Sequence, residues 1–128
     1  MSISETPRLD GGPNIAMKVP PHLWEETVRF YRDVVGLPVI DNPFEDGPPS
    51  VGFAFGANRL WVDQAASISQ AEVWLQLITN DTAAVAEHLQ SSQVVRCGEI
   101  EPLPSGASAF WISSPASIVH LVSEADPI

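Results

Sequence analysis

The chain has 128 residues, of which 45% are hydrophobic and 17% are charged, a composition that suits one ordinary globular domain and excludes extensive disorder. Six Lys and Arg residues stand against 16 Asp and Glu residues, which gives a formal net charge of −10. Nucleic acid and anionic membrane surfaces are therefore excluded as partners, because both require a basic footprint on the protein.

The N-terminal segment is polar, ends in Gly11-Gly12-Pro13 and has no apolar core of the kind that a signal peptide needs. We predict that residues 1–13 form a flexible arm and that a single domain covers residues 14–128. The one cysteine, Cys97, can form neither an internal disulfide nor a thiolate metal cluster, and no stretch approaches a membrane-spanning length. We therefore expect a cytoplasmic protein.

The first half of the domain predicts the element order β-α-β-β-β. Its strands are indicated by alternation of apolar and polar residues, and its helix by apolar residues three and four positions apart between Pro21 and Gly36. The predicted elements are a strand over 14–19, a helix over 22–35, and strands over 37–40, 51–55 and 58–64. A loop rich in proline, residues 41–50, precedes the last two strands.

The second half repeats this order. We predict a strand over 72–78, a helix that begins at Asp81 or Thr82 and ends near Ser91, and strands over 94–97, 109–113 and 117–123. Corresponding residues are 58 or 59 positions apart along the chain: Asn14 and Glu72 by 58, Tyr31 and Leu89 by 58, Trp61 and His120 by 59. Such an offset indicates a duplication, with module one at 14–67 and module two at 71–124 sharing one core.

Two segments resemble the vicinal oxygen chelate superfamily, which groups glyoxalase I, bleomycin-resistance proteins and extradiol dioxygenases. The segment TVRFYRDVVGLPVI, residues 27–40, is similar to the first helix and second strand of that family. The segment FWISSPASIVHLVSE, residues 110–124, resembles the family ending "F.DP.G..IEL". The resemblance implies an α+β fold in which two tandem βαβββ modules form a cup-shaped mixed sheet with helices on the outside. It also implies a homodimer.

The resemblance further implies where a metal would bind, since the ligands in the family's metal enzymes come from the first and last strand of each module. Those positions fall here at Asn14 or Ala16, at Trp61 or Asp63, at Glu72 and at His120. Glu72 and His120 supply two ligands, and Asp63 is a third if its strand register turns it into the cup. A catalytic zinc or iron normally has three protein ligands, so one divalent metal ion and no cofactor at all stay open as alternatives.

The period of two along the strands assigns one polar and aromatic face, which is the predicted ligand-binding surface. The candidate substrate-binding residues on it are Asn14, Lys18, Arg59, Trp61, Trp74, Gln76 and Trp111. The candidate catalytic residues are Glu72 and His120, with Asp63 as the additional metal ligand. The opposite face is aliphatic and is predicted to form the core under the helices.

Structural roles are the alternatives for these residues. His120 would then be a hydrogen-bonded core histidine, Glu72 a carboxylate paired with Arg59 or Lys18, and the tryptophans packing in the cup.

Three functions agree with this pattern. The first is a lyase, isomerase or dioxygenase that acts on a carbonyl or vicinal-oxygen substrate through a metal held by Glu72 and His120. The second is an enzyme without a metal, in which one of these two residues is the general base and Lys18 or Arg59 stabilises an oxyanion. The third is a binding protein that sequesters a small molecule or drug, as bleomycin-resistance proteins do, by stacking tryptophan on an aromatic cation.

Overall fold

The computed structural model describes residues 7–41, 47–97, 103 and 108–124. In chain order they form β1 Asp10–Gly11, β2 Asn14–Val19, α1 Pro21–Arg29, β3 Val39–Ile40, β4 Ser50–Phe55, β5 Asn58–Gln64, β6 Glu72–Ile78, α2 Thr82–Ser91, β7 Val95–Arg96, β8 Ala109–Ser113 and β9 Val119–Ser123. The chain divides into two units, with the boundary inside β6 between Trp74 and Leu75. Among the described residues, the N-terminal unit contains 13–74, and the C-terminal unit contains 7–12 and 75–124.

In the N-terminal unit the strands lie in the order β3-β4-β5-β2-β6. The central strand β2 pairs in parallel with β5 and antiparallel with the first residues of β6. Proline suits the first turn of a helix, and α1 begins at Pro21, continues as a π-helical turn over Phe30–Val35 and ends at Gly36 with φ of 81°. The buried core of this unit consists of Val19, Val28, Phe53, Leu60 and Val62. The odd-numbered residues of β2 therefore face α1, and its even-numbered residues face the opposite side of the sheet.

In the C-terminal unit the last residues of β6 pair in parallel with β9, β9 pairs antiparallel with β8, and β8 with β7. The helix α2 begins after Asp81, whose carboxylate accepts a hydrogen bond of 3.0 Å from the backbone N–H of Ala84, as an N-cap residue does. The buried core of this unit consists of Val85, Phe110, Ile112 and Val122.

The predicted order β-α-β-β-β is confirmed in both halves, and so is the α+β class, because the described residues contain two α-helices and nine strands with both parallel and antiparallel pairings. The flexible arm expected over 1–13 stays a prediction, and within it Asp10 and Gly11 form β1 and pair with Ile78 and Leu77 of β6. The predicted loops over 41–50 and 98–108 lie partly outside the described residues. Among the described helices, none has the length and apolar character needed to cross a membrane.

Candidate functional site

One face of the N-terminal unit carries most of the predicted site residues, and we call it the Lys18 face. The cross-strand partners place eleven residues on it: Asn14, Ala16, Lys18, Ser50, Gly52, Ala54, Arg59, Trp61, Asp63, Glu72 and Trp74. Both Trp61 and Asp63 lie on this face, which settles the register that the sequence left open. Their position opposite the helix-covered core follows from the alternation of side chains along β2 and β5.

A buried ion pair lies at the centre of the Lys18 face. Lys18 is only 4% exposed, and its Nζ is 2.7 Å from Asp63 Oδ2. The hydroxyl of Ser50 donates a hydrogen bond to the other carboxylate oxygen of Asp63. Lys18 Nζ also lies 4.5 Å from the centroid of the Trp74 ring, which is within the range of a cation–π interaction. The pair therefore joins β2, β4, β5 and β6 through side chains.

The two tryptophans of this face are each held by a side-chain acceptor. Trp61 Nε1 donates to Asn14 Oδ1 at 2.8 Å, and Trp74 Nε1 donates to Glu72 Oε1 at 3.0 Å. The Trp61 ring also lies against Gly52, because a Cβ at that glycine would be 2.5 Å from Trp61 Cζ3. Glu72 is exposed and Trp61 is half-buried. Both indoles are thus fixed in orientation, and the ring of Trp61 is partly open to solvent.

Ser50 is a member of this site that the sequence did not reveal, because it lies at the end of a segment predicted to be a loop. The signal that was available is the row of small residues Ser50, Gly52 and Ala54 at alternate positions, which leaves room for the larger side chains of β5 beside them.

The C-terminal unit has its own face with Gln76 and Trp111. Both are register partners of Leu121 on β9, one from β6 and the other from β8. Gln76 Nε2 donates to Ser123 Oγ at 3.4 Å, and Trp111 is 8% exposed. This face therefore offers an amide and a covered indole where the sequence predicted substrate contacts.

His120 does not lie on the face of Gln76 and Trp111, and this part of the sequence prediction is wrong. Its register partners are Leu75 and Ile112, so it shares a side of the sheet with the core residues of its unit. Its Nδ1 is 3.0 Å from the backbone carbonyl oxygen of Ile118. The proposed roles of His120 as general base or metal ligand stay predictions.

The error comes from the offset used for the last strand. The pair Lys18 and Asp63 on β2 and β5 corresponds to the pair Gln76 and Leu121 on β6 and β9, with an offset of 58 in both. His120 then corresponds to Val62, a core residue, and not to Trp61. A shift of one residue moves a side chain to the other face of a sheet.

The side chains that the family resemblance assigns to a metal do not fit one in this structure. Asp63 is engaged by Lys18 and Ser50, and Asn14 Oδ1 accepts from Trp61. Across the described parts of the chain, no three His, Cys, Asp or Glu side chains are grouped so that they could hold a metal ion.

Comparison with known proteins gives a match in structure only. No family model matches the sequence, and no curated protein matches it either. Among solved structures, methylmalonyl-CoA epimerase from Mycobacterium tuberculosis is 16% identical with a TM-score of 0.63, over 99% of this chain and 94% of that one. The Mn(II)-bound glyoxalase from Novosphingobium aromaticivorans is 16% identical with a TM-score of 0.63, over 92% of this chain and 40% of that one.

Homoprotocatechuate 2,3-dioxygenase from Arthrobacter globiformis is 15% identical with a TM-score of 0.61, over 94% of this chain and 37% of that one. The chain thus has the fold shared by the vicinal oxygen chelate proteins, and the resemblance seen in the sequence is confirmed for the fold. This chain spans less than half the length of the glyoxalase and of the dioxygenase. Identities this low show the fold and leave the reaction open.

Proposed function

We propose that this chain is a small-molecule-binding protein whose Lys18 face holds a planar aromatic ligand. The observation that carries the proposal is the pair of indoles on one face, each fixed by a side-chain acceptor, Trp61 by Asn14 and Trp74 by Glu72. A fixed and partly exposed indole is a stacking surface that loses little conformational entropy when a ligand binds. Since Lys18 covers the ring of Trp74, Trp61 is the indole that would contact the ligand.

The charges close to Trp61 nearly balance, because the guanidinium of Arg59 and the carboxylate of Glu72 lie on the same face, so the preference for a cationic ligand follows from the net charge of the whole chain. The ammonium of Lys18 is neutralised by Asp63 at 2.7 Å, so it does not repel a cation strongly. Glu72 presents an exposed carboxylate on the same face, and the chain as a whole carries −10. Such a field raises the association rate of cations and lowers that of anions.

Isothermal titration calorimetry with two probes of matched ring size tests the proposal. Proflavine is the cationic probe and 2-anthracenesulfonate is the anionic probe. We expect proflavine to bind more tightly, and Trp61→Ala to weaken its binding by about tenfold, which corresponds to about 1.4 kcal/mol of lost stacking. Trp61→Phe keeps an aromatic ring and should stay within about threefold of the wild type.

The matched control is Trp24→Phe. Trp24 packs against the core on the other side of the sheet, and its Nε1 donates to the backbone carbonyl oxygen of Val62 at 3.0 Å. This variant should lose some thermal stability and keep its affinity for proflavine. Equal affinity of Trp61→Ala and the wild type, or tighter binding of the anionic probe, would contradict the proposal.

A second candidate is a glyoxalase-like lyase or isomerase that works without a metal. It is favoured by Glu72, an exposed carboxylate whose Oε1 is fixed at 3.0 Å by the indole N–H of Trp74. A carboxylate held in place beside a binding surface can act as general base toward a proton next to a carbonyl group. The epimerase and the glyoxalase with this fold make such a role reasonable to test.

Hydrogen–deuterium exchange detects that role without knowledge of the substrate. Dihydroxyacetone and an acyl thioester are incubated with the protein in deuterium oxide, and loss of the proton next to the carbonyl group is followed by NMR. We expect Glu72→Gln to abolish any exchange above background, and Glu26→Gln, at an exposed position of α1, to keep it. Equal exchange with both variants would remove Glu72 as the base.

We also propose that the protein is a cytoplasmic homodimer. Exposed apolar side chains support the dimer: Leu23, Phe30 and Val34 are 39%, 49% and 73% exposed on α1 and the π-helical turn, and a contiguous apolar patch commonly marks an interface. Sedimentation equilibrium at micromolar concentration should give a dimer for the wild type and a monomer for Val34→Glu. A wild-type monomer would contradict this part of the proposal.

A further inference from the structure

Three charged side chains lie in one row across neighbouring strands of the N-terminal unit. Lys18 on β2 is the register partner of Asp63 on β5 and also of Glu72 on β6. Two carboxylates therefore flank one central position. Neighbouring strands are about 4.8 Å apart, so side chains from the outer two can approach a cation above the central one. Oxygen ligands on both sides of such a position are a donor arrangement that divalent metals accept.

The central position already contains a cation. Lys18 is 4% exposed, and its Nζ lies 2.7 Å from Asp63 Oδ2 and 4.5 Å from the centroid of the Trp74 ring. Asp63 receives a second hydrogen bond from Ser50. The ammonium is thus covered from solvent and held by a carboxylate and an aromatic ring. A divalent ion that entered the row would have to displace it or remain beside it, and like charges at such distances repel strongly.

We infer that the Lys18 ammonium is a built-in cation that takes the place of a divalent metal ion between Asp63 and Glu72. The same fold occurs in a Mn(II)-bound glyoxalase, but this chain balances the carboxylate of Asp63 with its own ammonium, and Glu72 Oε1 accepts a hydrogen bond from Trp74 Nε1. The inference does not depend on the proposed aromatic ligand, because it concerns metal affinity alone. A negative result for the aromatic ligand therefore does not affect the inference on metal affinity, and a negative result for the metal does not affect the proposed ligand.

The inference predicts that one substitution converts the row into a metal site. Lys18→His replaces the ammonium by an imidazole between two carboxylates, which gives three protein ligands of the types that zinc and manganese bind. Lys18→Met removes the charge without supplying a ligand. Lys18→Arg keeps a cation in the row and is the matched control.

Calorimetric titration with zinc chloride and, separately, manganese chloride measures metal binding to the full chain. We expect the wild type and Lys18→Arg to show only the weak binding of an acidic surface. Lys18→His should bind one equivalent of zinc at least about tenfold more tightly than Lys18→Met, and the double variant Lys18→His/Asp63→Asn should lose that gain. Zinc should also raise the melting temperature of Lys18→His, since a ligand of the folded state stabilises it.

Two results would overturn the inference. One is that the wild type binds one equivalent of zinc or manganese and that this binding is lost when Asp63 or Glu72 is substituted. The other is a folded Lys18→His variant that binds zinc no better than Lys18→Met. If Lys18→His is unfolded without metal, its refolding on addition of zinc, seen by circular dichroism, supports the inference, and its failure to refold counts against it.

Discussion

The N-terminal and C-terminal units have the same element order and place different side chains at matching positions. Lys18 and Asp63 form a buried ion pair in the first, while Gln76 and Leu121 occupy the corresponding register positions in the second. An amide and an aliphatic side chain cannot form an ion pair. The two units therefore share a backbone arrangement, and the charged chemistry described here lies in one of them.

The helix-covered sides of the two units differ as well. Val62 is 0% exposed in the core of the N-terminal unit, and its counterpart His120 is half-buried and bonded to the backbone of Ile118. The helix α1 begins with prolines and has no side-chain cap, whereas α2 is capped by Asp81. Each unit thus reaches the same local structure through different interactions, and substitutions at matching positions should have unequal effects.

The largest effect is expected from Lys18→Met. Asp63 would be left as a mostly covered carboxylate, with its side chain 19% exposed, and with Ser50 as its remaining partner. Removal of one member of a buried ion pair typically costs about 3 kcal/mol in the free energy of unfolding. The matching change in the C-terminal unit, Gln76→Met, removes no charge and should cost about 1 kcal/mol. Urea denaturation followed by circular dichroism compares the two.

The double variant Lys18→Met/Asp63→Leu is the control for this comparison. It removes both charges and fills the space with apolar groups, which often restores stability. We expect it to recover most of the loss. If Lys18→Met is as stable as the wild type, the ion pair contributes nothing to the free energy of unfolding, and its presence in only one of the two units does not affect stability.

The next effect is expected from Gly52→Ala, because close packing against this glycine fixes the Trp61 ring. The added Cβ would lie 2.5 Å from Trp61 Cζ3 and 2.9 Å from Ile40 Cγ1, so the indole has to move. Such overpacking costs about 2 kcal/mol, and a displaced Trp61 should shift the fluorescence emission to longer wavelength. Gly47→Ala is the control, since no atom lies within 4 Å of a Cβ there. Unchanged emission from Gly52→Ala would contradict the packing.

Strand alternation was enough to predict most of the Lys18 face. Lys18, Trp61, Asp63 and Trp74 lie at alternate positions of strands whose other side is aliphatic, so their side of the sheet follows from the period of two. The sequence could not select the partner of Lys18, because Asp63 and Glu72 lie three and four strands further along the chain and only the strand register distinguishes their contacts.

The misplaced histidine has a different cause. Position 120 has apolar neighbours on both sides, so the alternation of polar and apolar residues does not show which side of the sheet His120 faces. The assignment then depends on the offset between the two halves, and an error of one residue in that offset moves the side chain to the other side of the sheet. The π-helical turn over Phe30–Val35 was missed for a similar reason. Apolar spacings of three and four residues do not distinguish an α-helical last turn from a π-helical or 3₁₀-helical one.

A smaller effect is expected from His120→Val, which makes the C-terminal unit more like the N-terminal unit at this position. The contact between His120 Nδ1 and the carbonyl oxygen of Ile118 is lost, and apolar contact on the core side is gained. These terms oppose each other, so the free energy of unfolding should change by at most about 1 kcal/mol. Urea denaturation measures the change, and the affinity for proflavine should stay that of the wild type. If His120→Val lost affinity for proflavine and kept its stability, His120 would contribute to ligand binding and this expectation would be wrong.

The smallest effect is expected at an exposed ion pair of the N-terminal unit, which contrasts with the buried one. Arg32 Nε and an amino group of the same guanidinium donate to the two carboxylate oxygens of Asp33 at 2.9 Å and 3.0 Å. These hydrogen bonds lower the pKa of the Asp33 carboxyl below its ordinary value. The stabilisation from a lowered carboxyl pKa is present above the pKa of the unfolded chain, about 4, and is lost as the pH falls through the folded value.

Both side chains of this pair are about half exposed, at 50% and 52%, so water and salt screen their interaction. Asp33→Asn should therefore lower the urea midpoint only slightly at pH 7 in low salt, and this difference should vanish in high salt and below pH 4, while Lys18→Met is destabilised in low and in high salt. A loss in Asp33→Asn at pH 7 that is as large as that of Lys18→Met, or that persists in high salt, would contradict this expectation. That result would mean that burial does not explain why the Lys18–Asp63 pair stabilises the fold more than the Arg32–Asp33 pair.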